Sequence, residues 1–296
     1  MQASSRSPGV SVPGVTGEGG FDRHHLPGAV VDLPTPASPA VRDDIRLTRA
    51  GDPVRRCTHF SLSLSASRRL CRWVAWNIDG AAKVTTTGDH RQFVLDPAYG
   101  PGDQVGPELY AKNPLDQGHI AAFSDVSWGT PEVAAVARRE SCFFSNITPQ
   151  LDSFNRSDLK GVWGELENEI ATENKVAEQK LSEVGGPILG ADDLEFQGVL
   201  VPREFWKIVA YVEAGKLRAK AFRLTQKDLD GKLGLLPLDE FRIYQQPIAE
   251  ISTETGLDFG RLTPADTAPR PAKPAAVAGP HVRRITSLAD VTARGW

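Results

Sequence analysis

The chain has 296 residues, of which 40% are hydrophobic, and this is enough to bury the core of one large domain or of two small ones. Its 34 basic and 37 acidic residues give a formal charge of −3, so net charge gives no argument for a nucleic-acid partner, and such a function must depend on a local site. The cysteines are odd in number and widely spaced, which argues against a disulfide framework and a thiolate zinc site and predicts free buried thiols at Cys57, Cys71 and Cys142.

The sequence carries no pattern typical of a membrane span or a secretion signal. Nowhere do about 18 consecutive apolar residues occur, and Arg6 is not followed by an apolar run of roughly 7 to 15 residues. We therefore expect a protein without membrane contacts that stays in the cytoplasm or is exported by a non-classical route.

Composition divides the chain into a central domain and two terminal extensions. Residues 1–19 are rich in Gly, Ser, Pro and Val without periodicity, which predicts a flexible tail. Residues 263–296 form a C-terminal extension that begins with a Pro- and Ala-rich stretch. Between them we expect a single domain at 20–262, around which residues 20–54 wrap as an N-terminal arm.

The hydrophobic pattern predicts more strands than helices. Alternation or short apolar runs predict strands at 59–65, 72–79, 91–97, 142–150, 198–202, 205–213 and 216–224. Ala214-Gly215 is typical of a hairpin turn between the last two strands. From about residue 158 to Leu181 the spacing of apolar residues is helical. Because strands and helices do not alternate regularly, we predict an α+β fold with a mixed or antiparallel central sheet and flanking helices.

Residues with chemical potential concentrate between positions 91 and 167. The string LDQGHIAAFSDVSWG carries one histidine, His119, directly after a glycine. A lone histidine is more often a packed structural group than a catalytic one, because imidazole can serve both purposes. The interpretation of His119 therefore depends on the residues that follow it.

The string SNITPQLDSFNRSDLKGVWGELENEI brings amide and acidic side chains to a predicted junction of strand and helix. Asn146 is expected to end the strand, Asn155 to lie beside the helix start, and Glu165 and Glu167 to lie within the helix. A purely structural interpretation is also open, in which Asn155 and Ser157 are N-caps whose oxygens accept hydrogen bonds from free N–H groups.

In this order, DQGH, SNITPQ, FN and WGELE resemble the motifs of the DNA/RNA non-specific endonuclease family, which has a ββα-metal (His-Me finger) active site. The resemblance extends upstream to RRLCRWVAWNID and RQFVLDP and downstream to GGPILG, VPREFWKIVA, GKLRAKAF and ETGLDFG. It implies a ββα-metal motif and an endonuclease that hydrolyses phosphodiester bonds of DNA and RNA with little sequence preference.

The resemblance also assigns roles to residues. It implies that His119 is the general base, Asn155 the single protein ligand of Mg²⁺ or Mn²⁺, and Arg91 a phosphate-contacting arginine. A hard cation suits the reaction because negative charge grows on the phosphoryl oxygens, and a neutral imidazole with a pKa of about 6.5 can take a proton from water. By residue type alone, Arg91 could equally be a surface arginine at a strand edge.

Three further residues take supporting roles by resemblance. Asn146 matches a second asparagine near the active site. Glu167 matches an acid that hydrogen-bonds waters around the metal. Asp116 opens the histidine motif and is expected to hold the loop that presents the imidazole of His119.

One departure from the family pattern is Gln117, which stands where most members have an arginine. One cation near the phosphate is therefore missing, and Arg91 or another basic residue would have to compensate. Arg138 and Arg139 are candidates, although an ordinary solvated pair is favoured.

A second departure is the distance along the chain between Asn155 and Glu167, which is about one helical turn longer than in most members. In one continuous helix their 12-residue separation would place them roughly 18 Å apart. Either residues 156–160 form a non-helical insertion, which Gly161 permits, or Glu165 or another acid replaces Glu167.

Other clusters have plainer interpretations. The period of a strand puts Lys216, Arg218 and Lys220 on one face that could follow a nucleic-acid backbone, although a solvated face is favoured. The adjacent histidines His24 and His25 lack a third ligand at matching spacing and are expected at the surface. Four aromatic residues in apolar strands are predicted to be core rather than base-stacking residues, namely Trp73, Trp76, Phe205 and Trp206.

Two alternatives to a nuclease stay open. Gln117 and the acidic pI, near 6.1, would suit a catalytically weakened module of the same fold that binds nucleic acid or protein. Hydrolysis of smaller phosphodiesters would keep the chemistry and change only the substrate. An unrestrained nuclease endangers its own cell, so we expect an inhibitor, a regulatory partner or a specialised export route, with the tails as attachment points.

Overall fold

The computed structural model of the protein describes residues 19–85, 91–159, 162–172, 179–226, 242–268 and 283–285. The predicted tail at 1–19 lies outside these ranges except for its last residue. Most of the predicted extension at 263–296 lies outside them as well.

Within the described residues, the strands are β1 (Thr35–Pro36), β2 (Ile45–Arg46), β3 (Arg55–Cys57), β4 (Phe60–Ser65), β5 (Cys71–Asp79), β6 (Leu115–His119), β7 (Ile147–Leu151), β8 (Lys180–Ile188), β9 (Leu194–Phe196), β10 (Val199–Val201), β11 (Glu204–Glu213), β12 (Lys216–Thr225), β13 (Arg242–Gln245), β14 (Leu257–Asp258) and β15 (Arg283–Ile285). The α-helices are α1 (Pro39–Asp43), α2 (Pro131–Ser141), α3 (Asp152–Asn155), α4 (Val162–Thr172), α5 (Ile248–Thr255) and α6 (Leu262–Ala265). Short 3-10 turns include Phe144–Asn146 and Ser157–Leu159.

The central sheet has the order β15-β13-β12-β11-β8-β5-β4-β2 among the described strands, and β3 also pairs with β4. Each neighbouring pair in this order is antiparallel. The structure therefore confirms the predicted α+β class, with an antiparallel sheet.

Hydrophobic cores cover both faces of this sheet, because alternate residues of a strand point to opposite sides. On one face, Val74, Trp76 and Phe205 pack with side chains from β6, β7, α3 and α4. On the other face, Trp73 and Trp206 pack with α5 and with residues that precede β1. All four aromatic residues that the sequence assigns to the core are buried, so that prediction is confirmed.

The strand predicted at 91–97 is wrong, because within it only Val94 forms a bridge, to Phe143. The segment is held by side chains instead: the buried carboxylate of Asp96 accepts hydrogen bonds from Arg55 at 3.2 Å and from the Ser145 hydroxyl at 2.7 Å. A buried acid inside an apolar run is a signal against a regular strand.

Two other boundaries also differ from the prediction. The strand predicted at 142–150 begins only at Ile147, so Asn146 precedes it in a 3-10 turn rather than ending it. Of the helix predicted from about residue 158 to Leu181, the described residues Val162–Thr172 are helical, whereas Lys180 and Leu181 belong to β8 in the middle of the sheet. Gly186 weakens the strand signal of β8, yet it is required, because a Cβ there would lie 2.8 Å from the Arg72 carbonyl oxygen.

The hairpin of β11 and β12 is confirmed, and Ala214 and Gly215 both adopt positive φ at its turn. The basic face proposed for β12 is only partly exposed. Lys220 is only 7% exposed, and Arg218 forms an ion pair with Glu213. Lys216 is exposed and the Arg218 side chain is 42% exposed, so the three residues do not form one continuous basic face.

Predictions for single side chains have mixed outcomes. The three cysteines are free and buried, as predicted. His24 is exposed, but His25 is buried, with its Nε2 atom 2.8 Å from the Ile78 carbonyl oxygen, so the surface prediction is wrong for His25. In the part of the chain that the structure describes, no helix is long and apolar enough to cross a membrane.

Candidate active site

The strand–strand–helix unit β6-β7-α3 carries the motif residues. β6 and β7 pair antiparallel, with His119 at the end of β6 opposite Ile147 at the start of β7. α3 follows β7 directly and ends at Asn155. In this register the start of β6 lies beside the end of β7, so α3 begins next to Asp116, and β6 connects the asparagine motif to His119 at its other end.

Asn146 fixes the chain just after His119. Its Oδ1 accepts a hydrogen bond from the Ala121 N–H at 3.0 Å, and its Nδ2 donates to the carbonyl oxygens of Ala121 at 3.0 Å and Ser141 at 2.8 Å. The side chain is fully buried. These three bonds use both polar atoms of the amide, so its geometry suits positioning of the His119 loop rather than contact with a substrate.

The imidazole of His119 is buried beside a positive charge, which favours its neutral form. Burial, with a smaller effect of the nearby positive charge of Arg91, lowers the pKa of His119 to about 3. Its Nε2 atom lies 3.7 Å from the Cys142 thiol sulfur, and the Phe93 ring lies at a centroid distance of 5.3 Å. Because Nε2 faces the buried thiol, Nδ1 is the ring nitrogen that could serve a reaction.

Two arginines share one aromatic ring near the histidine. The Arg91 guanidinium lies 5.2 Å from the centroid of the Phe123 ring, and that of Arg138 lies 5.9 Å from the same centroid. Arg91 is exposed and outside any strand, whereas Arg138 is buried and donates to Ser127 Oγ at 2.9 Å. The solvated-pair interpretation is therefore wrong for Arg138, and Arg91 is close enough to His119 to act on its pKa.

Asp116 links the two motifs. Its Oδ2 accepts a hydrogen bond from Asn155 Nδ2 at 3.2 Å, and Arg156 contacts both carboxylate oxygens, at 2.8 and 3.1 Å. Asp116 therefore orients the amide of Asn155 and leaves the amide oxygen available as an acceptor. Asn155 ends α3 rather than starting a helix, so the N-cap interpretation does not hold for it.

The helix that carries Glu167, α4, packs against the turn at Asn155. The helix breaks after Asn155, and α4 then packs its Gly164 against that turn: a Cβ on Gly164 would lie 2.7 Å from the Ser157 backbone nitrogen. Glu167 follows Gly164 by three positions and so shares its face of α4. Within the described part of the insertion expected at 156–160, Arg156 is non-helical and Ser157–Leu159 form a 3-10 turn, so Asn155 and Glu167 do not lie in one continuous α-helix.

A buried charge cluster, which sequence reasoning missed, lies behind Glu167. We call it the lysine cluster, and it consists of Lys207 from β11, Glu183 from β8, Glu167 from α4, Asp125 from the loop after β6, and the rings of Trp76 and Trp163. The Lys207 ammonium lies 3.3 Å from Glu167 Oε1 and 3.5 Å from Glu183 Oε2. A lone lysine in the apolar string FWKIVAYVE was the one sequence signal that could have revealed it.

The donor set fits a hard divalent cation bound mainly through water. Among the described residues, no group of three His, Cys, Asp or Glu side chains comes together as a metal-binding cluster. The candidate oxygen donors are the oriented amide of Asn155 and the carboxylate of Glu167, whose side chain is 23% exposed. Oxygen donors of this kind suit Mg²⁺, which keeps several of its own waters.

Comparison with known proteins decides the family. Residues 44–266 match the model of the DNA/RNA non-specific endonuclease family, and this range includes every motif residue described above. The chain belongs to this family. The match covers β2 to α6, so the ββα unit and the described strands of the central sheet other than β15 fall inside the family domain.

Relatives of this family domain occur in bacteria and animals. The chain is 31% identical to protein y4fB of Sinorhizobium fredii over 93% of the chain and 43% of that protein. It is 26% identical to a nuclease of Nostoc sp. over 68% of the chain and 70% of that protein. It is 29% identical to the mouse mitochondrial nuclease EXOG over 44% of the chain and 33% of that protein. The chain thus spans less than half the length of the first and third of these relatives.

A solved structure shares the fold. A chain of the EndoG/EndoGI complex, a structure described as showing the mechanism of EndoG inhibition, aligns with a TM-score of 0.53 at 20% sequence identity. The alignment covers 72% of this chain and 89% of that one. At this identity the likeness concerns the arrangement of the family domain.

Proposed function

We propose that this chain is a metal-dependent endonuclease that hydrolyses phosphodiester bonds of DNA and RNA with little sequence preference. The hydrogen bond from Asn155 Nδ2 to Asp116 Oδ2 carries this proposal. This bond connects Asn155, the candidate metal ligand, to β6, the strand that ends at the candidate base His119. It also uses the amide nitrogen of Asn155, so the amide oxygen is the atom left for a metal. An asparagine with a purely structural role would not need a side-chain oxygen that is left available as an acceptor at this position.

The role of His119 follows from its charge state. A base must be unprotonated to take a proton from the attacking water, and the lowered pKa keeps the imidazole neutral at physiological pH. Nε2 is held against the Cys142 thiol, so Nδ1 would receive the proton. Asn146 holds the backbone at Ala121 and thereby limits movement of the histidine.

Asn155 would hold Mg²⁺, or Mn²⁺ in its place, through the amide oxygen, and Glu167 would hydrogen-bond waters around it. The cation would supply a Lewis acid that stabilises negative charge on the phosphate and on the leaving oxygen. Asp116 keeps the Asn155 amide turned, and the contact of Gly164 with the Asn155 turn keeps α4 and Glu167 near it.

Arg91 would bind the phosphate group. It is exposed and close enough to His119 to lower the pKa of the imidazole, so its positive charge would lie near a phosphate attacked by water at His119. Contacts to phosphate carry no base information, so a site built from them accepts DNA and RNA of any sequence. Preorganised donors of this kind are typically worth on the order of 10² to 10³ in rate.

The test is cleavage of plasmid DNA and of a structured RNA by purified protein with Mg²⁺ or with EDTA. Wild type, His119→Ala and Asn155→Ala are compared, with His24→Ala as a matched control because His24 is exposed and far along the chain from the motif. Cleavage that needs Mg²⁺, is lost in the two site variants and is kept in the control is the expected result.

Other outcomes would overturn the proposal. Cleavage that persists in both site variants would place the chemistry elsewhere. No cleavage of either polymer by a folded wild type would favour the binding module of the same fold. Hydrolysis of a small phosphodiester without cleavage of polymers would keep His119 and Asn155 in their roles and change the substrate.

A further inference from the structure

The lysine cluster places a full positive charge where water cannot reach it. The Lys207 side chain is 1% exposed, and its ammonium lies 4.5 Å from the Trp163 ring centroid and 5.2 Å from that of Trp76. Gly185 makes room for this stack, since a Cβ there would lie 3.3 Å from the Trp76 ring. The two rings favour a cation on their faces and fix the direction from which Lys207 reaches its partners.

The partners of Lys207 differ in what else they contact. The Glu183 side chain is 1% exposed, and within the described residues its oxygens accept no hydrogen bond, so the ion pair with Lys207 is what offsets its burial. Glu167 instead keeps 23% of its exposure, and it lies one turn along α4 from the glycine that touches the Asn155 turn. Lys207 therefore links the buried carboxylate of Glu183, on the sheet, to the partly exposed carboxylate of Glu167, on α4.

The charge balance of the cluster strengthens this link. Burial alone would lower the pKa of Lys207, but the charges of Glu167, Glu183 and Asp125 raise it, so the amine stays an ammonium. Asp125 accepts a hydrogen bond from the Trp76 indole at 3.3 Å and brings a further negative charge. Without Lys207 the acids would repel one another in a buried space, and Glu167 would turn away or take up a proton.

We propose that Lys207 is a positioning residue of the active site, which holds the Glu167 carboxylate toward the cation at Asn155 through an ion pair braced by Trp76 and Trp163. This rests on the proposed function, because it assigns Glu167 to the waters of that cation. Loss of an outer partner of a metal typically costs on the order of 10- to 100-fold in metal affinity or activity, and removal of Lys207 would misplace such a partner.

The test must separate positioning from the cost of an unpaired buried charge. Lys207→Met alone leaves Glu183 unpaired and could unfold the protein, whereas removing both members of a buried pair is often tolerated. The experiment therefore compares Glu183→Gln with Lys207→Met/Glu183→Gln. Mn²⁺ binding is measured by electron paramagnetic resonance, which needs no turnover, and circular dichroism checks that each variant is folded.

We expect Glu183→Gln to bind Mn²⁺ within about threefold of wild type and the double variant to lose on the order of 10- to 100-fold. Adding Glu167→Gln to the double variant should lower the Mn²⁺ affinity little further. Arginine in place of methionine at position 207 (Lys207→Arg) should restore most of the affinity. Wild-type Mn²⁺ affinity in a folded double variant would overturn the proposal. So would independent effects, in which the fold-losses of Mn²⁺ affinity from Lys207→Met and Glu167→Gln, each measured with Glu183→Gln present, simply multiply.

Asn155→Ala distinguishes this result from a failure of the proposed function. If Asn155→Ala does not weaken Mn²⁺ binding, the metal site itself is misplaced and both proposals fail. If Asn155→Ala weakens binding and the Lys207→Met/Glu183→Gln variant does not, only the role of Lys207 is wrong.

Discussion

Gly164 of α4 meets the backbone of Asn155 so closely that a Cβ on it would lie 2.6 Å from the Asn155 carbonyl oxygen. This contact connects the two halves of the candidate metal site, because Asn155 ends one helix and Glu167 lies in the next. The position cannot accept any side chain without a shift of the backbone at Asn155.

Gly164→Ala should therefore weaken both folding and metal binding. Helix propensity alone favours alanine by about 1 kcal/mol, but overpacking against backbone typically costs about 1–3 kcal/mol and displaces α4 from Asn155. A lower melting temperature together with weaker Mn²⁺ binding is expected. Gly102→Ala is the matched control, since a Cβ at Gly102 would meet nothing within 4 Å. Unchanged Mn²⁺ affinity in Gly164→Ala would show that this contact does not set the site.

Asp116→Ala should lower metal affinity far more than Arg156→Ala. Asp116 orients the Asn155 amide, and loss of such an outer partner typically costs on the order of 10- to 100-fold in metal affinity. The Arg156 side chain is 52% exposed, and an exposed ion pair is worth only about 0–1 kcal/mol. Calorimetric titration with Mn²⁺ compares the two variants directly. Equal losses would mean that Arg156, not the amide orientation, is what the metal site requires.

Asn146→Ala should destabilise the folded protein. It leaves the Ala121 N–H and the carbonyl oxygens of Ala121 and Ser141 without their partner, at a cost of about 1–3 kcal/mol for each buried group left unpaired. Urea unfolding should show a large loss of stability alongside the loss of cleavage. If stability is kept and only cleavage falls, Asn146 has a direct catalytic role instead.

The sequence predicts the site best where the chemistry is local. His119, Asp116 and Asn155 lie in short strings at the ends of β6 and α3, so their motifs specify them directly. The packing of α4, which carries Glu167, against the Asn155 turn could not be predicted in the same way, because it depends on a tertiary contact of Gly164.

The rest of the fold was harder to predict because tertiary context decides it. β8 carries consecutive glycines and a proline, which lower its β propensity, yet it lies between β5 and β11 in the sheet. Lys207 and Glu183 come from neighbouring strands and Glu167 from a helix across the core. No spacing rule links these three residues, and only the assembled sheet brings their charges together.

The final prediction concerns the protonation of His119. Burial and the charge of Arg91 hold its pKa below the ordinary 6.5, and a lowered pKa means that the neutral form persists as the pH falls. In the metal-free protein, the NMR signal that disappears in His119→Ala should therefore not titrate between pH 5.5 and 8. Arg91→Gln removes the smaller of the two causes and should raise the pKa, whereas Arg139→Gln, at an exposed position of α2, should not.

The pKa values of His119 and Glu167 are shifted in opposite directions, so their effects on the pH dependence of cleavage can be told apart. Burial, opposed by Lys207, raises the pKa of Glu167, so the loss of kcat/KM on acidification should come from protonation of this carboxylate before His119 is affected. Glu167→Gln should accordingly lower the rate and move the remaining acid limb to lower pH. A midpoint for His119 at or above 6.5 in the NMR titration would contradict the neutral base, and an acid limb unmoved by Glu167→Gln would assign that limb to another group.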